Sequence, residues 1–267
     1  MKHKYLILGE RYLPILGKRL TEYGFEILPL PDNPDVDQRL AGHTDLSVFL
    51  LSPVASAVAS VYPFAYDTSS RNQAIQITEN YISSDVLFLA PYLKNSDFSK
   101  KLLKLGLHLQ VISEKQYPDY PGDVSLNIRC TSSGQAILNP KTASSVIQET
   151  LRKVGYQRIT VNQGYSACSV LELGKKLITQ DEGIFKVLSE HRISAIKISE
   201  NGIMLEGFQH GFIGGCAFSC GGKMYFTGKL DTLQDRDLII QLLKQENLEP
   251  VFLSEESVFD IGGAVVL

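Results

Sequence analysis

The chain repeats one local pattern five times: a segment with helical character ends at a turn and runs directly into a short strand-like segment. The five strand-like segments are Phe25–Leu30, Leu107–Ile112, Tyr156–Val161, Ile193–Ile198 and Leu248–Leu253. A repeat of about fifty residues indicates an array or ring of equivalent supersecondary units. A ring brings one equivalent residue of every unit to a shared centre, and a functional site is expected there.

The unit is best defined over Tyr165–Ile198. Alternating residues from Cys168 predict a strand, Gly174 marks a turn, and a second strand leads to a helix over 183–191, with Asp181 as its cap. Ile193–Ile198 then completes the order strand, turn, strand, helix, strand. The same order fits residues 123–161, with a helix over 142–154, and residues 212–253, with a helix over 232–245.

A further copy begins at His43 and contains an insertion. We predict its strands at about Leu46–Leu51 and Ser56–Tyr62, followed by an insertion over 63–93 and a helix over Phe98–Leu105. The insertion contains a polar stretch that is typical of a loop.

The fifth copy is divided between the two ends of the chain. Ser257–Leu267 supplies its first strand and Tyr5–Leu8 its second, followed by the helix Leu13–Tyr23. Pairing of the terminal strands removes two exposed sheet edges. We therefore predict an α/β fold of five ββαβ units, an α/β-propeller closed by its terminal strands. A plain α/β sandwich with coincidental spacing is the alternative.

These boundaries predict one domain over residues 1–267. Its units are 257–267 together with 1–42, 43–122, 123–163, 164–210 and 211–256.

Composition limits the classes of function. A net charge of −3, with 21% charged residues, provides no basic excess for nucleic acid. No apolar stretch approaches the roughly 20 residues that span a bilayer, and the N-terminal apolar segment is too short for a signal peptide. The four cysteines lack metal-ligand spacing, which favours free thiols in the cytoplasm. We predict a small-molecule substrate, no nucleic-acid or membrane partner, and no metal or cofactor; the sequence leaves the oligomeric state open.

Aligning the five first strands assigns one central residue to each unit. Asn127, Cys168 and Gly215 each lie six residues before a turn residue, and His43 and Asp260 are assigned by strand pattern. The centre is thus predicted to hold polar and reactive side chains where apolar packing would otherwise be expected.

Three motifs of this ring resemble the pentein superfamily of guanidino-group modifying enzymes. His43-Thr44-Asp45 is similar to the His-x-Asp start of a pentein strand, Cys168-Ser169 after Gly164 to the nucleophile strand, and Asp260-Ile-Gly-Gly to an acidic-Gly-Gly strand. The stretches 163–184, 211–218 and 259–267 are also similar to an uncharacterised bacterial family of unknown function. The resemblance implies a propeller fold and a cysteine-dependent reaction at an amidine or guanidine carbon.

The resemblance is incomplete in two respects. The cyclic order Asp260, His43, Asn127, Cys168 agrees with that of the superfamily, but the cysteine lies in mid-chain, as if circularly permuted. The superfamily also has a carboxylate two units before the histidine, where this chain has Gly214 and Gly215. An unpaired guanidinium is costly to bury, so a less charged amidine or a carbonyl-type substrate remains open, and the glycine could make room for it.

The residue types support the same chemistry. A thiolate is a competent nucleophile, a nearby imidazolium lowers its pKa, and a carboxylate that orients the imidazole completes a triad. We assign Cys168, His43 and Asp260 as catalytic candidates. Asp45, two residues after His43 and on the same face of a predicted strand, either orients His43 or binds a cationic substrate. The substrate-binding candidates are Asp45, Asn127, Gly215 and Asp181.

Each assignment has a structural alternative. Cys168 and His43 could be buried core residues, the aspartates could accept backbone N–H groups, and Asn127 could be a structural hydrogen-bonder. Asp181 could act only as a helix cap. Cys216 is a second candidate nucleophile, although it should face the helices, and with Cys220 and His210 it forms a loose candidate metal set.

Two classes of function therefore follow. The first is a cysteine-dependent hydrolase or amidinotransferase-like enzyme acting on a small C–N substrate. The alternative is a non-catalytic protein of the same fold, which binds through its surface or keeps a degenerate site.

Overall fold

A computed structural model of the protein describes residues 4–53 and 85–267. The described chain forms five three-stranded sheets with helices, an α/β architecture. The strands are β1 (Lys4–Gly9), β2 (Phe25–Leu30), β3 (Val48–Leu51), β4 (Val86–Leu89), β5 (His108–Val111), β6 (Arg129–Cys130), β7 (Gln135–Leu138), β8 (Gln157–Thr160), β9 (Val170–Leu173), β10 (Lys176–Thr179), β11 (Ala195–Lys197), β12 (Ala217–Cys220), β13 (Lys223–Phe226), β14 (Glu249–Phe252) and β15 (Val265–Val266).

The helices are α1 (Leu13–Glu22), α2 (Asp97–Lys104), α3 (Ser145–Lys153), the single turn α4 (Ser166–Ser169), α5 (Glu182–Glu190) and α6 (Arg236–Gln245). Five of them connect the second strand of a sheet to its third. Each helix buries an apolar stripe, such as Ile147 and Leu151 in α3 or Ile184 and Leu188 in α5. The predicted helices and third strands are therefore confirmed to within a few residues.

Every sheet has the same strand order. The middle strand pairs antiparallel with the first strand and parallel with the third, as in β3-β4-β5 and β9-β10-β11. Antiparallel neighbours need only a short turn, whereas parallel neighbours need a crossover, here a helix. The sequence pattern of turn, strand, helix and strand follows directly from this topology.

The two ends of the chain form one sheet. β15 pairs antiparallel with β1, with Leu6 opposite Val266 and Ile7 opposite Val265, and β2 pairs parallel with β1. The predicted pairing of the terminal strands is confirmed.

One strand of the His43 copy differs from the prediction. The partner of β3 is β4 (Val86–Leu89), which lies within the predicted insertion over 63–93. β4 is therefore the second strand of this copy, because it is in register with Val48–Leu51 and leads into α2. The predicted strand Ser56–Tyr62 lies outside the described residues.

Buried apolar side chains link neighbouring sheets. Five clusters each combine residues from two successive sheets, for example Leu28 with Leu89, Phe88 with Leu138, and Ile159 with Val170. The fifth cluster joins the last sheet to the first through Tyr225, Val251 and Leu8. Each sheet therefore packs against two other sheets of the described chain.

Candidate active site

The five central residues predicted from the sequence lie in the turns that precede the first strands, and not within the strands. Asn127, Cys168 and Gly215 each lie two residues before a strand, whereas His43 and Asp260 lie five before theirs. The alternation of apolar and polar residues in the sequence could not distinguish these turns from the strands that follow them.

Cys168 lies in the single helical turn α4 and is 2% exposed. Its Sγ donates a hydrogen bond to Oδ2 of Asp45 at 2.7 Å. Asn127 holds the turn: its Oδ1 accepts from the backbone N–H of Ala167 at 2.7 Å and of Cys168 at 3.4 Å, and its Nδ2 lies 3.4 Å from Sγ. Asn127 thus positions the thiol.

Asp45 lies in the 3-10 turn Thr44–Leu46, so the predicted strand over His43 and Asp45 is wrong. The turn still directs both residues to the cluster. The backbone N–H of Asp45 donates to the carbonyl of Gly262 at 3.1 Å, and its Oδ1 is buried without a hydrogen-bond partner in the described chain. Burial raises the pKa of Asp45 to about 7, despite the opposing effect of the Cys168 hydrogen bond.

His43 is 2% exposed and faces a second carboxylate. Its Nδ1 lies 4.0 Å from Oδ1 of Asp260, and its Nε2 is buried with no partner among the described residues. Burial lowers the pKa of His43, while Asp260 opposes that shift. The imidazole is therefore held neutral near pH 7.

The ligating atoms of His43, Asp45 and Cys168 all lie within 4.8 Å of one another. Proton transfer needs a contact of roughly 2.6–3.2 Å, and catalytic contacts often tighten to that range only when a substrate binds. Burial and the nearby carboxylates Asp45 and Asp260 raise the pKa of the Cys168 thiol. The thiol is consequently protonated in this state of the site.

Asp260 is fixed by backbone donors from two units. Its Oδ2 accepts from the N–H of Phe212 and its Oδ1 from the N–H of Gly262, both at 2.9 Å. Gly215 lies directly against it: a Cβ at that position would overlap the Asp260 carboxylate. The space left by the glycine is therefore occupied by Asp260 and is not open to a substrate.

Asp181 lies away from the cluster. Its Oδ1 accepts from the N–H of Ile184 at 2.7 Å and caps α5, while its Oδ2 accepts from Gln163. The predicted capping is confirmed, and Asp181 does not line the cavity described next. Both carboxylate oxygens are occupied by these structural bonds.

A cavity of about 300 Å³ adjoins the cluster and is lined by residues from all five sheets or the turns before them. It reaches Asp45 and Ala167, the neighbour of Cys168, and also contains Arg129 and Glu172. Asp45 is half-buried and itself lines the cavity, whereas Cys168 and His43 are buried.

Arg129 is a candidate site residue that the sequence reasoning missed. One of its terminal nitrogens donates to the carbonyl of Ala167 and lies 3.5 Å from that of Gly214, while its Nε is buried without a partner in the described chain. Burial lowers the pKa of Arg129, and Asp45 and Glu172 oppose the shift. Its position two residues after Asn127, at the start of a first strand, is the signal that could have identified it.

The other cysteines are free and lie apart from the cluster. Cys216 is fully buried in the apolar core, as predicted, and its thiol donates to the carbonyl of Ile213. Within residues 4–53 and 85–267, the candidate set of His210, Cys216 and Cys220 does not come together as a metal-binding group. No helix of the described chain is long and apolar enough to cross a bilayer.

A sequence profile described as "Family of unknown function (DUF6873)" matches residues 75–265, more than half of the chain. The chain belongs to this family. The predicted resemblance to an uncharacterised family is therefore confirmed. No curated protein matches the sequence.

Among solved structures, the chain is similar to a substrate-bound variant of agmatine deiminase from C. jejuni, with 9% identity over 94% of this chain and 88% of that one, at a TM-score of 0.47. It is also similar to a dimethylarginine dimethylaminohydrolase in an adduct with S-methyl-L-thiocitrulline, with 14% identity over 80% and 81% of the chains and a TM-score of 0.35. The same enzyme from Pseudomonas aeruginosa, complexed with citrulline, is 13% identical over 76% and 75%, at a TM-score of 0.34. The function proposed below rests on the geometry of the site.

Proposed function

We propose that the chain is a cysteine-dependent hydrolase or transferase that acts on a small amidine or related C–N substrate. The observation that carries this proposal is the buried group of thiol, imidazole and two carboxylates beside a cavity. His43 and Asp45 lie two residues apart at one turn, and Cys168 and Asp260 come from two other turns. Hydrogen bonds that involve the backbone hold these turns in place. Burial of so many reactive groups is costly without a function that needs them.

The cyclic contacts between sheets support a five-bladed α/β-propeller that forms one domain over residues 1–267, with the five units predicted from the sequence. The four free cysteines support a reducing compartment, the cytoplasm. A small molecule is the proposed substrate, because a cavity of about 300 Å³ suits a ligand of that size.

In the first step, Cys168 attacks the sp² carbon of the amidine. The S–C bond forms as the thiol proton leaves, with Oδ2 of Asp45 as its nearest acceptor. The proton passes from Asp45 to His43, which delivers it to the departing nitrogen as the C–N bond breaks, so an amine leaves and a neutral S-linked thioimidate (an isothiourea where the substrate is a guanidine) remains on the enzyme. Asp260 faces Nδ1 of His43 and orients the ring.

In the second step, the covalent intermediate is released. Water adds to the same carbon, gives a proton to His43, and the C–S bond breaks to return the thiol and yield an amide or urea. In a transferase, an amine takes the place of water. The acid–base chemistry is the same in both cases, so the cavity decides which nucleophile is admitted.

Arg129 limits the charge of the substrate. A guanidinium in the cavity would meet the Arg129 cation as well as the carboxylates of Asp45 and Glu172. The unpartnered Nε of Arg129 would instead suit a substrate with an acceptor oxygen. We therefore favour a neutral amidine or ureido-type group over a free guanidinium.

Covalent labelling tests the proposal. A haloacetamidine should alkylate Cys168 in the metal-free, full-length protein at neutral pH, and peptide mass spectrometry should place the adduct on that residue. Cys168→Ala should remove the adduct, whereas Cys130→Ser and Cys220→Ser, which change partly exposed thiols, should keep it. Labelling confined to Cys130 or Cys220 would reject the catalytic cysteine.

The alternative is a non-catalytic binding protein with a degenerate site. The observation that favours it is the deep burial of Cys168 and His43, together with the raised pKa of the thiol. In that case the labelling rate of Cys168 should not exceed that of a denatured control peptide. The two candidate functions therefore give opposite results in the same experiment.

A further inference from the structure

His43, Asp45 and Cys168 combine three kinds of ligand that transition metals accept: an imidazole nitrogen, a carboxylate oxygen and a sulfur. Their ligating atoms lie within 4.8 Å of one another. Ligand atoms about 2.0–2.3 Å from a tetrahedral zinc ion lie roughly 3.3–3.8 Å from one another. The more distant pairs would therefore have to approach by about 1 Å, and Sγ of Cys168 and Oδ2 of Asp45, which are 2.7 Å apart, would have to separate by a similar amount.

Two atoms of the cluster lack partners. Nε2 of His43 and Oδ1 of Asp45 are buried, and neither has a hydrogen-bond partner in the described chain. His43 is only 2% exposed, so bulk water does not compensate for the missing bond at its ring. Buried polar atoms of this kind are uncommon in folded proteins, and coordination of a cation by both atoms would satisfy them.

The surroundings of His43 have the form that a ligating histidine needs. Nδ1 of His43 lies 4.0 Å from Oδ1 of Asp260, which is itself fixed by the N–H of Gly262. A shift of about 1 Å would bring this carboxylate within hydrogen-bond reach of Nδ1, which would set the tautomer and leave Nε2 free to bind a metal. Asn127 similarly fixes the turn that carries the sulfur.

The donor set also selects the metal. Sulfur and imidazole ligands favour zinc over magnesium or calcium, which require oxygen ligands. A divalent cation bound to one thiolate and one carboxylate would leave the group uncharged, which suits a buried position. Asp45 lines the cavity, so an ion and a water molecule for a fourth position have a route to it.

We propose that His43, Asp45 and Cys168 bind one zinc ion, and that the bound ion makes the Cys168 sulfur unavailable for alkylation. Metal binding does not depend on the proposed hydrolase function; the blocking of an active thiol does rest on it.

Cobalt(II) is the spectroscopic probe. Titration of the metal-free, full-length protein with Co²⁺ should produce a sulfur-to-cobalt charge-transfer band that saturates at one equivalent and disappears on addition of Zn²⁺. Cys168→Ala should abolish the band, and His43→Ala and Asp45→Asn should each weaken binding at least tenfold. Cys220→Ser and His210→Ala should leave the band unchanged, because those residues belong to the set that does not assemble. A band that survives Cys168→Ala, or the absence of any band, would overturn the proposal.

A measurement on the unmodified protein covers the case in which a variant fails to fold. One equivalent of Zn²⁺ should slow the alkylation of Cys168 at least tenfold and leave that of Cys130 unchanged. Alkylation that zinc does not slow overturns the metal site and leaves the catalytic proposal intact. A stoichiometric cobalt band in a protein whose metal-free Cys168 does not react supports the metal site and rejects the catalytic proposal.

Discussion

Sγ of Cys168 donates to Oδ2 of Asp45 at 2.7 Å, whereas the imidazole of His43 faces the other carboxylate, that of Asp260. The two aspartates are therefore divided between the thiol and the imidazole. Asp45 is the nearest acceptor for the thiol proton, and Asp260 is in position to orient the ring. Substitution of Asp45 should therefore affect the protonation of the thiol, and substitution of Asp260 should affect the orientation of the imidazole.

Asp45 should make stability depend on pH. Its pKa in the folded state is raised to about 7, so the folded protein keeps a proton that the unfolded chain loses above about pH 4. The contribution of Asp45 to the free energy of unfolding should therefore be fully present below about pH 4 and be lost as the pH rises through about 7. Asp45→Asn removes the effect, so the variant should gain about 2–4 kcal/mol relative to the original protein between pH 4 and pH 8 in urea unfolding.

Asp97→Asn is the matched control. The pKa of the exposed Asp97 is lowered by its hydrogen bond to Lys100, so its contribution is lost as the pH falls. The pH dependence of this variant should be small and of opposite sign. Equal slopes for the two variants would show that Asp45 has an ordinary carboxyl pKa.

Gly215→Ala should destabilise the protein by roughly 1–3 kcal/mol, because its Cβ would overlap the carboxylate of Asp260 and force it to move. The displacement should also slow alkylation of Cys168, since Asp260 orients His43 in the proposed mechanism. Thermal unfolding and labelling rates measure the two effects.

Gly17→Ala provides the comparison. Gly17 lies in α1, where an added Cβ would make only ordinary contacts, the nearest at 3.7 Å, so alanine should be neutral or stabilise by up to about 1 kcal/mol. If both glycine variants behave alike, residue 215 is not packed against Asp260.

Asp181→Ala should cost about 1 kcal/mol of stability through loss of the cap on α5, and should leave the alkylation rate of Cys168 unchanged. Asp181→Ser should restore most of the stability, because serine also accepts from the first turn of a helix. A large change in labelling with unchanged stability would instead support the substrate-binding assignment made from the sequence.

Arg129→Met should raise the reactivity of Cys168 toward a cationic haloacetamidine relative to neutral iodoacetamide. Removing a cation from the cavity should increase the ratio of the two rate constants about threefold to tenfold, corresponding to roughly 1 kcal/mol. The ratio cancels changes in accessibility that affect both reagents. Lys186→Gln, which changes an exposed residue of α5, should leave the ratio unchanged.

Local pattern is sufficient to predict most of the elements. Strand Phe25–Leu30 has the bounds that the sequence predicts, and the turn at Gly174 lies between β9 and β10 as expected. These elements follow from residue periodicity and turn chemistry, which are properties of neighbouring residues. The return strand Val86–Leu89 escapes such reasoning because an insertion separates it from its partner, and register across such a distance is set by packing.

The amino-acid sequence by itself determined the repeated unit and its turns, because these depend on contacts within a few residues. It also determined which polar and reactive residues precede the first strands. Only the tertiary structure decided that Asp45 meets Cys168 and Asp260 meets His43, that Asp260 fills the space beside Gly215, and that Arg129 enters the cavity. Such distances depend on how five separately formed units pack against one another, and a shift of a few ångströms between units leaves no trace in local sequence.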